Sequence, residues 1–374
     1  MRTTSMNVII FAEDAGAANY VAELPEALRQ RGISSILLAT GLAKNILYQR
    51  KVTFTPTPSS TASNILTTYS PQVLITGTAF NPDSLGLLLI EAAREKSIIS
   101  VGVIDAAMKV NLRFKGRGRT ALTYAPDYIF VPDLTVKKSF QSLGIKNSRI
   151  KIVGHPHYNY VRKLRLQYEQ KGKLTIRQQN FPRLKTNQKL VVFATEGSAR
   201  VVKSKPSPNQ YSLLGWNNHS GRTEVVLEEF LTVITSIKPR PYLILRLHPQ
   251  DKHSDYKKYR SYFDAFSQNE LPFPLLYSAD LVVGLTSMLI TEAALLRTPT
   301  LSILPRKGED AWLPTIAWGL TESAYSPRQI RQLLTKLLTG SHPSIFPKII
   351  PNNCLTTVVN LIELLLRHEK PQAI

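Results

Sequence analysis

His248 closes an apolar run in the segment Tyr242-Leu-Ile-Leu-Arg-Leu-His-Pro-Gln-Asp251. A strand over that run puts the imidazole at the carboxyl edge of a sheet, where open α/β sheets bind their ligands, and the following proline stiffens the turn. An imidazole there can donate a hydrogen bond to a phosphoryl oxygen. A strand-end histidine that merely satisfies backbone carbonyls is the plainer alternative. Its company is the stretch Ala279 to Leu296, in which an apolar strand gives way to Thr286 and Ser287 at the start of a helix. Free amides and positive partial charge at a helix N-terminus, joined by hydroxyls, hold an anion, although an N-capping role explains either residue by itself. Glu292, five residues into that helix, is placed to reach a ribose hydroxyl or to stand as a solvated surface carboxylate. Glu196, in Phe193-Ala-Thr-Glu-Gly-Ser198, ends a further apolar run. Its small neighbours let a ligand approach the backbone, and the carboxylate itself is a candidate for binding or catalysis.

Lys109, Arg113, Lys115, Arg117 and Arg119 put five cations in eleven residues without an acid. Such density suits an anionic partner, either a phosphorylated or acidic glycan acceptor or the anionic face of a membrane. The alternative is a solvated loop made mobile by Gly116 and Gly118. No recognised nucleic-acid module accompanies the run, which disfavours nucleic acid. His155 and His157 form a weak metal pair, two residues apart with no carboxylate or thiol nearby, and read better as a hinge. No metal site is expected.

These residues need elements to place them. Asn7–Ala12, Ser35–Ala39, Val73–Thr76, Ile99–Ile104, Tyr128–Val131 and Ile150–Val153 are short apolar runs suited to strands buried on both faces. Helical spacing separates several of them, at Tyr20–Arg31, Ser84–Lys96 and Leu134–Leu143. The alternation restarts with strands at Leu190–Ala194, Tyr242–Leu247, Leu281–Gly284 and Thr300–Leu304 and helices at Glu224–Ser236 and Ser287–Leu296. This predicts two doubly wound α/β, Rossmann-like domains with parallel sheets, facing each other across a cleft. The expected division is 1–165, a basic linker over 166–188, 189–345, and a bracing C-terminal helix in 346–374. The polar stretch from Ala199 to Arg222 reads as an insertion or a cleft loop.

A length of 374 residues agrees with two domains, and 43% apolar with 20% charged residues excludes wholesale disorder. The single cysteine, Cys354, excludes an intramolecular disulfide framework and a multi-thiolate zinc site. A net charge of +21 favours anionic partners. No apolar run approaches the roughly 18 to 20 residues of a membrane span, and Met1–Asp14 lacks the form of a signal peptide. The expected location is the cytoplasm, with the inner face of the membrane as a candidate docking surface.

Ser278–Pro305 resembles the donor-binding strand, turn, helix and strand of GT-B glycosyltransferase-like proteins. Arg246-Leu-His-Pro-Gln-Asp251 is similar to the His-Pro motif of bacterial sialyltransferases, Kdo transferases and glycerophosphotransferases. Ala125–Asp133 followed by Ile150–Tyr158 resembles the segment closing the N-terminal domain in such proteins and in UDP-N-acetylglucosamine 2-epimerases. The resemblance implies a nucleotide-sugar donor on the second domain, with His248 at the phosphates, Thr286 and Ser287 at the helix amides, Glu292 at the ribose and Gly284 keeping the turn narrow. It also implies a base from the first domain. Asp14, in Glu13-Asp-Ala-Gly16, is the first choice and Asp105 the second. Ala15 interrupts the acidic pair-plus-glycine motif of the sialyltransferases, and an N-cap is the alternative role for Asp14. The activity this implies is metal-independent sugar transfer to a polysaccharide or glycolipid acceptor. Sugar-nucleotide 2-epimerisation and a non-catalytic basic binding protein are the alternatives.

Overall fold

The computed structural model describes residues 7–78, 81–198, 211–216, 221–340 and 353–367. The chain divides into two compact units, Met1–Asn159 with Pro351–Ile374, and Tyr160–Ile350. The first runs through β1 (Val8–Ala12), α1 (Ala15–Val21), α2 (Leu24–Arg29), β2 (Ser35–Ala39), α3 (Gly41–Gln49) and β3 (Thr55–Pro56). It continues with α4 (Ala62–Tyr69), β4 (Val73–Gly77), α5 (Leu85–Glu95), β5 (Ile99–Val103), β6 (Tyr128–Val131), α6 (Leu134–Ser142) and β7 (Ile150–Ile152). Its strands pair in the order β3-β2-β1-β4-β5-β6-β7, all parallel.

β1 shows why the sheet forms. All five of its residues are apolar and buried. Val8, Ile10 and Ala12 join one core cluster while Ile9 and Phe11 join the other, so the strand needs no polar alternation. Each large apolar side chain so buried contributes roughly 1.5–3 kcal/mol. The helix expected over Tyr20–Arg31 is two helices. Pro25 lies in the first turn of α2 and has no amide to continue a ladder from α1, so the chain breaks at Ala22–Glu23 and restarts. α1 begins at Ala15, earlier than the spacing of apolar residues indicates, because Asp14 caps it.

α7 (Pro156–Lys171) and α8 (Lys173–Asn180) occupy much of the basic stretch read as a linker. α8 is pinned within the second unit. Lys173 Nζ donates to the Ala279 carbonyl at 2.6 Å and Arg177 pairs with Asp280 at 3.2 Å. That unit continues with β8 (Leu190–Ala194), α9 (Arg222–Ile234), β9 (Tyr242–Arg246), β10 (Ala265–Ser267), α10 (Phe273–Ser278), β11 (Leu281–Gly284) and α11 (Met288–Leu295). β12 (Thr300–Ile303), α12 (Pro314–Ala317), β13 (Glu322–Ala324) and α13 (Pro327–Thr339) complete it. The sheet order is β10-β9-β8-β11-β12-β13, again parallel. α14 (Cys354–Leu366) returns to the first unit, where Val358, Leu361, Ile362 and Leu365 enter the core beside α2 and Arg31 pairs with Glu363 at 3.2 Å.

Both sheets are therefore doubly wound, as the alternation predicts. Winding reverses between β1 and β4 in one and between β8 and β11 in the other, and the carboxyl ends of strands at such switch points are where these sheets bind ligands. The segments leaving β1 and β8 there carry Asp14 and Glu196. Much of the stretch 199–222 lies outside the described residues.

Candidate active site

At the switch point of the second sheet, three loops carry the residues singled out from sequence. Thr195 and Glu196 follow β8, His248 follows β9, and Thr286 and Ser287 follow β11. β8 lies between β9 and β11, so its end bridges the other two. The Thr195 hydroxyl accepts the His248 amide at 2.7 Å and donates to Asp251 Oδ2 at 2.9 Å. Asp251 also accepts the Ser198 amide at 2.6 Å and the Tyr256 hydroxyl at 3.1 Å. His248 Nδ1 accepts the Gln250 amide at 3.3 Å, which assigns the ring proton to Nε2 in the neutral tautomer. Burial holds the imidazole below its usual pKa, against the pull of Asp251 and Glu196. His248 is thus a neutral Nε2–H donor.

Glu196 departs from its expected role. Its Oε1 accepts the Thr286 amide, and its Oε2 accepts the Thr286 hydroxyl at 3.1 Å and Arg222 Nη1 at 2.5 Å. The Thr286 amide that was to meet an anion is therefore satisfied by a carboxylate of the same chain. Arg222 balances that charge. It bonds Glu309 through Nε at 3.0 Å and Nη2 at 2.9 Å, touches Thr286 Oγ1 at 3.4 Å, and lies 5.9 Å from the Trp312 ring centroid. Burial alone would lower the guanidinium's pKa, but the two glutamates carry it above the ordinary arginine value. Ser287 is the N-cap of α11, its hydroxyl accepting the Leu289 amide at 3.3 Å. With the Thr286 amide taken, the next amides of this turn are those of Ser287 and Met288, at the start of α11. A Cβ on Gly284 would meet the Ala194 carbonyl at 3.0 Å, in keeping with a narrow turn. Glu292 is buried rather than solvated, and its charge favours the Arg246 guanidinium against burial.

The first unit gathers the two candidate bases. Asp14 caps α1, Oδ1 accepting the Ala17 amide at 2.7 Å. Asp105, leaving β5, lies against the same turn so closely that a Cβ built on Gly16 would stand 1.8 Å from its Oδ2. Burial first, and then the Asp105 charge, push Asp14 up to about 7, against the Ala17 amide and the Arg113 guanidinium, which pull it down. A carboxyl poised there can both take and give a proton at neutral pH. Glu13 points elsewhere, accepting the Ser84 hydroxyl at 2.7 Å and Asn81 Nδ2 at 3.1 Å.

Arg113 is a correction to the cationic run. It is 2% exposed and bonds Asp105 Oδ1 at 2.7 Å, the Thr78 carbonyl at 2.7 Å and the Ala106 carbonyl at 3.0 Å. Arg117, at the surface, pairs with Asp83, Nη2 to Oδ2 at 2.8 Å. Gly116 marks packing rather than mobility. It has φ +53°, and a Cβ there would meet the Tyr124 ring at 2.6 Å. His155 and His157 are buried, not ligand-like. The His157 amide donates to His155 Nδ1 at 3.3 Å, and the His155 ring lies 4.9 Å from Tyr20 and 4.8 Å from Tyr158. Burial, with His157 adding to it, pushes His155 down to about 3, and burial takes His157 well below its usual value. Among the described residues, no group of three or more His, Cys, Asp or Glu side chains gathers to hold a metal ion, and no helix is long and apolar enough to cross a membrane.

Arg222, Glu309, Asp251 and Gly16 did not emerge from the sequence. Asp251 had a signal, its fixed spacing three residues after His248. Arg222 and Glu309 are 87 residues apart and had none.

No protein-family model matches the sequence, and no curated protein matches it. Among solved structures, S. aureus MnaA in a co-structure with UDP is similar, with TM-score 0.68 at 12% identity over 99% of this chain and 100% of that one. UDP-GlcNAc 2-epimerase from Neisseria meningitidis, bound to UDP-GlcNAc, gives 0.67 at 13% over 96% and 100%. A glycosyltransferase from Rickettsia africae ESF-5 gives 0.56 at 10% over 98% and 94%. At these identities the likeness is one of fold: the chain shares the two-domain α/β GT-B architecture of these proteins.

Proposed function

We propose that the protein is an enzyme of nucleotide-linked sugars, acting on a UDP-N-acetylhexosamine and inverting C2 of the sugar by removing and returning its proton. The observation that carries this reading is the Asp14–Asp105 pair, with Asp14 brought to about 7 at the switch point of its sheet. Fold neighbours described as bound to UDP or UDP-GlcNAc support the substrate class.

The chemistry follows from the groups present. Taking the proton from C2 requires a base and somewhere for the C–H electron pair to go. If the pair closes a double bond to C1, the C1–oxygen bond breaks and the diphosphate leaves with that bond's electrons. Asp14 in its ionised form is the base that takes the C2 proton from one face; inversion requires that C2 then receive a solvent-derived proton on the opposite face while an oxygen of the diphosphate, or of water, bonds C1 again. On the second unit, the His248 Nε2–H and the amides of Ser287 and Met288 are donors of the kind that phosphate oxygens accept. One such donor aimed at developing charge is worth about 10²–10³ in rate.

Glycosyl transfer is the second reading. It is favoured by the commitment of Asp105 to Arg113, which leaves Asp14 as a single base, and one base suffices to deprotonate an acceptor hydroxyl. The test is proton NMR of UDP-GlcNAc with purified protein. The C2 epimer, free or UDP-linked, is expected without added acceptor. Turnover that requires a hydroxyl acceptor selects transfer, and UDP binding without turnover of any sugar donor contradicts both.

A further inference from the structure

We propose that Gly16 and Arg113 are positioning residues that clamp Asp105 against the first turn of α1 and so hold its charge beside Asp14. The inference rests on the reading of Asp14 as the proton-transfer group and adds what holds that group in tune. The geometry is two-sided. On one side the missing Cβ of Gly16 is the space that Asp105 Oδ2 fills, since a methyl group there would stand 1.8 Å from that oxygen. On the other, Arg113 is locked by the carbonyls of Thr78 and Ala106 and presents Nη1 to Asp105 Oδ1 at 2.7 Å. A carboxylate held between a glycine and a fixed guanidinium cannot swing away from Asp14.

The remaining charged and titratable groups around the pair do not substitute for this clamp. Glu13 adds a smaller like charge on Asp14 and is tied to Ser84 and Asn81. Arg50, at the end of α3, bonds the Asn19 carbonyl at 3.2 Å. His155 is near Asp105 but stays neutral in the buried interior. Asp105 is thus the largest charged influence on Asp14, and its placement decides how far its charge raises Asp14.

The test is a pH titration by carbon NMR of protein labelled at the aspartate carboxyl carbons, with Asp14 identified by the signal lost in Asp14→Asn. In the unsubstituted protein Asp14 should titrate near 7. Asp105→Asn and Gly16→Ala should each lower that midpoint by about one unit, the first by removing the like charge and the second by displacing it. Arg113→Lys keeps the charge but loses the fork to Thr78 and Ala106, and should lower it in the same direction. In Gly16→Ala/Asp105→Asn the glycine substitution should add nothing further, because there is no charge left to place. An unmoved midpoint in Asp105→Asn overturns the pairing. A Gly16→Ala effect that persists in the Asp105→Asn background, or an Arg113→Lys midpoint equal to the parent's, overturns that residue's part. Should Gly16→Ala fail to fold by circular dichroism, the near-isosteric Asp105→Asn and the Arg113→Lys variant still decide. No substrate enters the titration, so absent turnover of UDP-GlcNAc leaves it standing, and a failed titration leaves the nucleotide-sugar reading standing.

Discussion

Thr195 fixes His248 by its hydroxyl, which accepts the His248 amide at 2.7 Å while donating to the buried Asp251 at 2.9 Å. A strand-end hydroxyl thus ties β8 to the loop after β9. Thr195→Val keeps the shape and deletes both bonds, leaving a buried carboxylate and an amide short of partners at a cost of about 1–3 kcal/mol. Urea denaturation should show that loss, and UDP affinity measured by calorimetry should fall with it. Unchanged stability would mean that the network does not hold the loop.

Arg222 carries a larger share. It sits between Glu196 and Glu309, the latter 2% exposed, and its loss takes the cation from Glu196 and leaves Glu309 to Arg306 at 3.4 Å. Arg222→Met should cost about 3–5 kcal/mol, read from denaturant midpoints. A loss below about 1 kcal/mol would contradict the pairing described for this corner of the sheet.

The buried titratable groups of the first unit oppose one another as pH falls. His155, at about 3 in the folded protein, and His157, well below its usual value, hold fewer protons folded than unfolded, so their stability contribution is present above about pH 6.5 and lost below it. Asp14, at about 7 folded and in the ordinary aspartate range unfolded, binds its proton earlier in the folded state and gains stability over the same interval. The histidines outnumber the carboxyl, and His248 in the second unit, also held below its usual value by burial, adds to their side, so stability falls between pH 6 and 5. Asp14→Asn removes the opposing gain and should steepen that fall by about 1.4 kcal/mol per pH unit. Chemical denaturation at pH 7, 6 and 5 measures both slopes, and equal slopes would refute the raised Asp14.

How much of this was legible in the sequence depends on whether the cause is local. The buried parallel strands, such as Val8–Ala12 and Leu190–Ala194, declare themselves because a strand covered on both faces is simply a short apolar run. The doubly wound, parallel character of the sheets follows from the βα rhythm, and with it the carboxyl rim that carries His248, Glu196 and Thr286. What the sequence hid were pairings across long separations. Arg113 looked like one of five cations suited to an anionic partner because nothing local signals that Asp105, Thr78 and Ala106 enclose it. Glu196 looked free to meet a ligand because its acceptance of the Thr286 amide spans 90 residues. The split of the helix expected at Tyr20–Arg31 was readable from Pro25, whose missing amide forbids a continuous ladder.

If Asp14 moves the sugar's proton, the unsubstituted enzyme should follow a group titrating near 7, and Asp14→Asn should lose about 10²–10⁴ in rate. The pH profile of UDP-GlcNAc consumption reads the first and its initial velocity the second. A variant with the parent rate would move the base elsewhere.

The most direct measurement is proton NMR of UDP-GlcNAc incubated with the protein in deuterium oxide. Deuterium should appear at C2 of the sugar, with its epimer, in the unsubstituted protein and not in Asp14→Asn. A sugar that keeps its C2 proton through complete turnover, or that exchanges it equally fast in Asp14→Asn, would contradict proton transfer by Asp14.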